Sequence, residues 1–170
     1  SATALIGKWH LGDAYPFRPK DRGFEHVSML KGGGIDQQHN PWGNRDTPPC
    51  TLFENDRPVS LNETNGASSA CTTDHLTTEA TKFAEACQQR GENFFLYVSY
   101  NVAHIPHSMP PDARSGADVR TAVIENMDRN IGRLLAFLEK SGLATNTLLL
   151  FLTDNGMGFV AGHRAMELAI

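Results

Sequence analysis

The sequence lacks the features that mark membrane-spanning and nucleic-acid-binding proteins. Its longest uninterrupted apolar run covers only residues 148–152, whereas a helix that crosses a bilayer needs about 20 such residues. Lysine and arginine number 15 against 19 aspartate and glutamate, the formal net charge is −4, and no run of basic residues occurs. Because nucleic-acid binding depends on neutralising phosphates with basic side chains, we expect no nucleic-acid partner and no membrane span.

Cysteine is also scarce, which argues against a second group of proteins. The three cysteines, Cys50, Cys71 and Cys87, are an odd number, and no two of them have CxxC spacing. The pattern therefore indicates neither a disulfide-stapled scaffold nor a zinc ribbon.

The residues that are present have the composition of a folded domain. Of 170 residues, 40% are hydrophobic and 20% are charged, which is typical of globular proteins. This length suits one domain and is sufficient to bury a core.

Three short apolar runs predict β-strands at residues 4–6, 94–100 and 147–152, because each is brief and bounded by polar or turn-forming residues. In the second and third runs, apolar residues occupy consecutive positions, which is typical of strands buried on both faces of a parallel sheet. We therefore expect 94–100 and 147–152 to be parallel neighbours or near neighbours in one sheet.

Two amphipathic patterns predict helices at 74–90 and 117–140, where apolar residues recur at intervals of three and four and a glycine follows the last turn. The apolar stripes consist of Leu76, Ala80, Phe83, Ala84 and Cys87 in the first helix, and of Val123, Met127, Ile131, Leu134, Leu135 and Leu138 in the second. The alternation of helices and strands predicts an α/β fold, layered helix/sheet/helix around a mostly parallel sheet.

Residues 13–72 differ from the rest of the chain. They contain most of the nine prolines and the Gly32-Gly33-Gly34 run, and they show no sustained periodicity. We predict a long irregular excursion within the domain. Because long irregular segments in compact domains tend to be functional or else poorly ordered, we expect this one either to form a wall of a substrate site or to lack a fixed structure.

Polar residues follow each predicted strand. Lys8 and His10 follow the first, His104 follows the second, and Asp154 and Asn155 follow the third. Open α/β sheets bind ligands outside the carboxyl ends of their strands. We therefore expect Lys8, His10, His104 and Asp154 to converge at one edge of the sheet.

Each of these clusters also has a purely structural interpretation. Lys8 and His10 fit a solvated edge as well as an anion site, and Asp154 with Asn155 fits a turn as well as a metal site. His104 fits surface packing as well as catalysis. We expect the remaining histidines to be surface or packing residues; they are His26, His39, His75, His107 and His163.

Taken together, the five residues form a coherent chemical set. The carboxylate of Asp154 and the amide of Asn155 are hard oxygen donors suited to Ca²⁺ or Mg²⁺. Lys8 offers a cation for an oxyanion, and His10 and His104 can serve as base and acid. Such a set is suited to hydrolysing a tetrahedral anionic ester.

Several segments together resemble the sulfatase family. GKWHLG at residues 7–12 is similar to the lysine–histidine motif of that family, and DRGFE at 21–25 is similar to the segment that follows it. NVAHIP at 101–106 resembles the N-x-P-H-x-P loop, and 125–156 resembles the helix and strand that lead to the family's metal ligands. The resemblance implies that residues 1–170 are an incomplete part of a single catalytic domain with an alkaline-phosphatase-like fold.

The resemblance also implies a role for each candidate residue. It assigns Asp154 and Asn155 to a divalent cation, usually Ca²⁺. Lys8 holds a sulfate oxygen and the hydroxyl of the nucleophile, and His10 is the base that releases sulfate from a covalent intermediate. His104 contacts the sulfate and helps to protonate the departing alcohol. The implied activity is that of an arylsulfatase-like sulfuric ester hydrolase acting on a sulfated small molecule or carbohydrate in a secreted, periplasmic or lysosomal location.

The sequence departs from the family pattern at the nucleophile. The family uses a formylglycine made from the Cys or Ser of a C/S-x-P-x-R motif, and this motif is absent from the 170 residues. In the family, the motif and a pair of acidic metal ligands lie N-terminal to GKWHLG. Ala103 replaces the proline before His104, and no lysine follows Lys140.

Two alternative functions remain open at this stage. A non-catalytic remnant or binding module of the same fold is favoured for the isolated chain by the missing nucleophile motif. A phosphoester or phosphonate hydrolase of the same superfamily would share the metal-binding turn, whereas GKWHLG favours sulfate. The sequence leaves the oligomeric state open.

Overall fold

A computed structural model of the chain describes residues 1–30, 51–55, 57–60, 72–104 and 107–153. The strands are β1 (Ala2–Lys8), β2 (His26–Leu30), β3 (Thr51–Glu54), β4 (Arg57–Ser60) and β5 (Phe94–Ser99), and the helices are α1 (Thr72–Gln89) and α2 (Val119–Lys140). The predicted helices and the first two predicted strands are therefore confirmed, with ends that shift by a few residues.

The strands form one mixed sheet in the order β4-β3-β2-β1-β5. β1 pairs in parallel with both β2 and β5, whereas β2–β3 and β3–β4 are antiparallel. The chain passes through α1 between the sheet edge at β4 and β5, as parallel strands require a long crossover. The result is an open α/β fold with a parallel centre and an antiparallel hairpin at one edge.

The core lies between the sheet and α1. Alternate residues of β1, Ala4 and Ile6, face the helix and pack with its apolar stripe, because successive side chains of a strand point to opposite faces. Every stripe residue predicted for α1 is buried; these are Leu76, Ala80, Phe83, Ala84 and Cys87. The helix ends at Gln89, and Gly91 follows with a positive φ of 66°.

The opposite face of the sheet has a smaller cluster of Leu5, Val27 and Met29. Phe95 and Tyr97 of β5 lie on the face away from α1 and are 57% and 45% exposed. The prediction that this strand is buried on both faces is therefore wrong for the described residues. Among them, a helix covers only one face of β5.

The helix α2 packs on α1 through a partly polar interface. Val123 and Leu138 are buried as expected, but Leu135 is 40% exposed, and Asn126 and Asn130 are buried in its place. Asn130 donates a hydrogen bond from Nδ2 to Oδ1 of Asp74 on α1 at 2.7 Å. The buried face of α2 is thus rotated from the one that the apolar stripe predicts, because these amides find partners in the interface.

Two predictions about strands are wrong. Residues 147–152 pair with no strand in the part of the chain that the structure describes, and all five apolar residues from Leu148 to Leu152 are exposed. The segment 13–72, predicted as irregular, contributes β2, β3 and β4. These three strands are four or five residues long, and Pro58 lies in β4, so their conformation depends on pairing rather than on a local pattern.

Neither of the two described helices combines the length and the apolar character that crossing a bilayer requires.

Candidate active site

Lys8 is the last residue of β1 and is half-buried. The strand is fixed at this point by β5, since the Ser99 hydroxyl donates a hydrogen bond to the Lys8 carbonyl at 2.5 Å. Gly7, opposite Ser99, has a φ of 121°, and a Cβ there would lie 2.0 Å from the Ser99 carbonyl oxygen. Only glycine permits this close approach of the two strands.

His10 lies two residues beyond the end of β1 and is exposed. Its φ of 57° is in the left-handed region, which residues other than glycine seldom adopt. The loop is anchored at the preceding residue. Trp9 donates a hydrogen bond from Nε1 to the Phe17 carbonyl at 2.8 Å and packs edge-on against Phe24. His10 therefore follows a fixed tryptophan and is itself exposed.

His104 lies in the loop that follows β5 and is half-buried. Its backbone N–H donates a hydrogen bond to the Asn101 carbonyl at 2.9 Å. The Asn101 residue is buried, with 5% of its surface exposed. The ring of His107 lies with Nε2 3.1 Å from the Ala103 carbonyl. The turn and this contact hold the backbone of His104 close to the end of β5.

The topology brings Lys8, His10 and His104 to one edge of the sheet. β1 and β5 are parallel neighbours, with Gly7 opposite Ser99 in the register. Lys8 is at the carboxyl end of β1, and His10 and His104 lie just beyond the ends of β1 and β5, where open α/β sheets place ligands. Asp154 and Asn155 lie outside the described residues.

A second group of titratable side chains was missed by the sequence analysis. Glu54 of β3 and His75 and Glu79 of α1 each place one potential ligand atom within 4.8 Å of the others. Burial lowers the pKa of His75, and burial followed by the charge of Glu79 raises the pKa of Glu54. The one available signal was the spacing of His75 and Glu79, which puts both on the same helix face. The contribution of Glu54 depends on a strand that the sequence did not predict.

His75 and His26 were both expected to be surface or packing residues. His75 is buried and His26 is half-buried. His26 stacks on Phe83 with a ring separation of 5.5 Å, and its pKa is lowered by burial.

The curated proteins include relatives of this chain. A family profile named Sulfatase matches residues 2–166. The chain is 26% identical to the uncharacterized sulfatase YdeN of Escherichia coli, covering 91% of this chain and 30% of that protein. It is 26% identical to human N-acetylgalactosamine-6-sulfatase, with 94% and 31% covered, and 27% identical to an arylsulfatase of Klebsiella aerogenes, with 91% and 44% covered. The chain thus spans about a third of the length of the first two relatives and somewhat less than half of the third.

Solved structures share the fold. Ps i-CgsB in complex with k-i-k-neocarrahexaose matches 83% of this chain with a TM-score of 0.63 and 23% identity, and 34% of that protein is covered. The PsFucS1 sulfatase from Pseudoalteromonas sp. matches 82% with a TM-score of 0.59 and 21% identity, and 32% of it is covered. With a family match over almost every residue and the same fold in these structures, the chain belongs to the sulfatase family.

Proposed function

We propose that this chain is part of a sulfate ester hydrolase and supplies the anion-binding and proton-transfer residues of its active site. The observation that carries the proposal is the parallel pairing of β1 with β5, because it puts Lys8, His10 and His104 at or just beyond the carboxyl ends of two adjacent strands. The positive φ of His10 adds support, because strained backbone positions concentrate at active sites.

Each residue has a role that suits its chemistry. The Lys8 ammonium pairs with a sulfate oxygen and offsets its charge. His104 in its protonated form donates a proton to the alcohol oxygen as the S–O bond breaks, and His10 in its neutral form is the base that accepts a proton as sulfate is released. The net reaction converts a sulfate ester and water to an alcohol, sulfate and a proton.

Asp154 and Asn155 would hold a divalent cation such as Ca²⁺. A carboxylate and an amide oxygen are donors of the right type, but six to eight oxygens complete a calcium shell, so this chain provides only part of one. When bound, the cation would withdraw negative charge from the sulfate. The nucleophile, a formylglycine in relatives that carry C/S-x-P-x-R, would also come from outside these residues.

The test is the kinetics of the full-length product of the gene that encodes this chain, with a chromogenic aryl sulfate as substrate. Lys8→Ala should lower kcat/KM by about 10²–10³-fold, and His10→Ala by about 10²–10⁴-fold. The matched control is Lys140→Ala, at the exposed end of α2, which should leave kcat/KM unchanged. Equal activity of the Lys8 and Lys140 variants would contradict the proposal.

The role of His104 has its own signature. A nitrophenol leaves readily without protonation, whereas an alkyl alcohol does not. We therefore expect His104→Ala to slow cleavage of an alkyl sulfate more than that of nitrophenyl sulfate. An equal loss with both substrates would rule out His104 as the proton donor.

A second candidate function is sulfate binding without turnover by the 170 residues alone. The absence of a C/S-x-P-x-R motif favours it, because removing the nucleophile from a catalytic unit costs orders of magnitude in rate. The isolated chain should show no aryl sulfatase activity and should bind Ca²⁺ only weakly, on the order of millimolar. Turnover by the chain that Lys8→Ala abolishes would refute this assignment.

A further inference from the structure

The group formed by Glu54, His75 and Glu79 lies beside the core and includes none of the three residues assigned to sulfate. Glu54 is two positions after Leu52, so both point to the helix side of the sheet, where Leu52 packs with Leu76 and Ala80. His75 and Glu79 are one turn apart on α1 and face the same way. The three side chains thus meet where the β3–β4 hairpin contacts the helix.

His75 points into this group without satisfying its own polar atom. The residue is 2% exposed, and its Nε2 has no hydrogen-bond partner among the described residues. The nearest charged oxygen, Oε1 of Glu54, is 3.8 Å away, which is longer than a hydrogen bond. Buried polar atoms are nearly always hydrogen-bonded in proteins, so this ring nitrogen is available to a ligand that enters the group.

The two carboxylates lack full compensation. Lys82 donates from Nζ to Oε1 of Glu79 at 2.7 Å, but its side chain is 64% exposed and can move into solvent. Glu54 is 32% exposed and Glu79 is 12% exposed, so a cation can reach both. Two neighbouring carboxylates raise each other's energy when ionised, and a bound cation would remove that repulsion.

We propose that Glu54, His75 and Glu79 form a structural site for a borderline divalent cation of the Zn²⁺ type, with water as the fourth ligand. Zinc binds imidazole nitrogen and carboxylate oxygen at about 2.0–2.2 Å in tetrahedral geometry. The ligand atoms are within 4.8 Å of one another, so small movements of the two partly exposed glutamates close the site. The imidazole argues against Ca²⁺, which selects oxygen ligands. The bound ion would join the hairpin to α1.

The test is titration of the full 170-residue chain with Zn²⁺ by calorimetry, after removal of metals with a chelator. Glu54→Gln and Glu79→Gln keep the size of each side chain but remove its charge. Each should weaken zinc binding by at least about 10–100-fold, because the loss of a group that only hydrogen-bonds to a metal ligand already costs this much. Glu85→Gln, an exposed glutamate on the same helix, is the matched control and should bind like the parent chain.

Two further measurements distinguish binding at this site from zinc binding by other histidines and cysteines of the chain. Zn²⁺ should raise the thermal midpoint of the parent and of Glu85→Gln, but not that of Glu79→Gln, because only binding to the folded state stabilises it. Lys82→Met should tighten binding by removing the competing ammonium. Undiminished zinc affinity in both Glu54→Gln and Glu79→Gln, absence of zinc binding by the parent, or equal binding of Ca²⁺ at this site would overturn the proposal.

Discussion

Gly7 is the residue at which the two strands of the candidate site touch. Its positive φ and its contact with Ser99 leave no room for a side chain, and the next residue is Lys8. The position of Lys8 therefore depends on the absence of a side chain at Gly7. A substitution at Gly7 acts on the fold and on the site together.

We predict that Gly7→Ala lowers the free energy of unfolding by at least about 2 kcal/mol, because the new methyl group clashes with backbone and the φ is unfavourable. Gly132→Ala is the matched control, since nothing lies within 4 Å of a Cβ at that exposed position in α2. It should stabilise the chain by about 0.5–1 kcal/mol. Urea unfolding measures both, and a neutral Gly7→Ala would contradict the strand contact.

Asp118 provides a residue-scale prediction of pH dependence. It caps α2, and hydrogen bonds from Thr121, first from its side chain and then from its backbone, hold the pKa of the Asp118 carboxyl below its ordinary value of 3.8. A lowered pKa in the folded state stabilises the protein above the unfolded value, and this stabilisation is lost as the pH falls through the folded pKa.

Asp118→Asn should retain the cap at neutral pH but should lack this loss of stability below about pH 4. Asp118→Ala should be less stable than both at neutral pH. Denaturant unfolding at several pH values distinguishes the three, and identical acid profiles for the parent and Asp118→Asn would show that the cap charge has no role.

At the scale of elements, the sequence predicts what local patterns determine. Both helices follow from their periodicity, and β1 and β5 follow from their compact apolar runs. β2, β3 and β4 were missed because each is short and is held by pairing with distant residues. The candidate residues differ in the same way. The positions of Lys8, His10 and His104 follow from predicted strand ends, whereas the group around His75 includes Glu54 of β3, a strand that the sequence did not predict.

The segment 147–152 is the clearest failure of a local pattern. Its apolar residues predict a buried strand, yet Leu150 is 74% exposed and Leu148 is 86% exposed. A strand of this kind needs partners at its edges and layers on both faces, and the described residues supply neither.

We predict that Leu150→Ala changes the stability of the 170-residue chain by less than about 0.5 kcal/mol. Leu76→Ala, at a fully buried leucine of α1, should cost about 2–5 kcal/mol. Urea unfolding compares the two variants. Equal losses would mean that 147–152 is packed into the core of this chain after all.

At the scale of the whole molecule, the chain belongs to the sulfatase family and spans about a third of the length of its Escherichia coli and human relatives. The described sheet exposes Phe95 and Tyr97 on one face and has β5 at its edge. The candidate residues lie at the carboxyl ends of β1 and β5 in the same sheet. The candidate site and the exposed face of β5 therefore belong to one continuous structure.

The most direct test of the account is a crystal structure of the full-length gene product with bound sulfate. The account predicts one sulfate ion beyond the carboxyl ends of β1 and β5, with Lys8 Nζ and ring nitrogens of His10 and His104 at hydrogen-bond distances of about 3 Å. A sulfate bound at this edge without Lys8, or any of the three side chains directed away from it, would contradict the account.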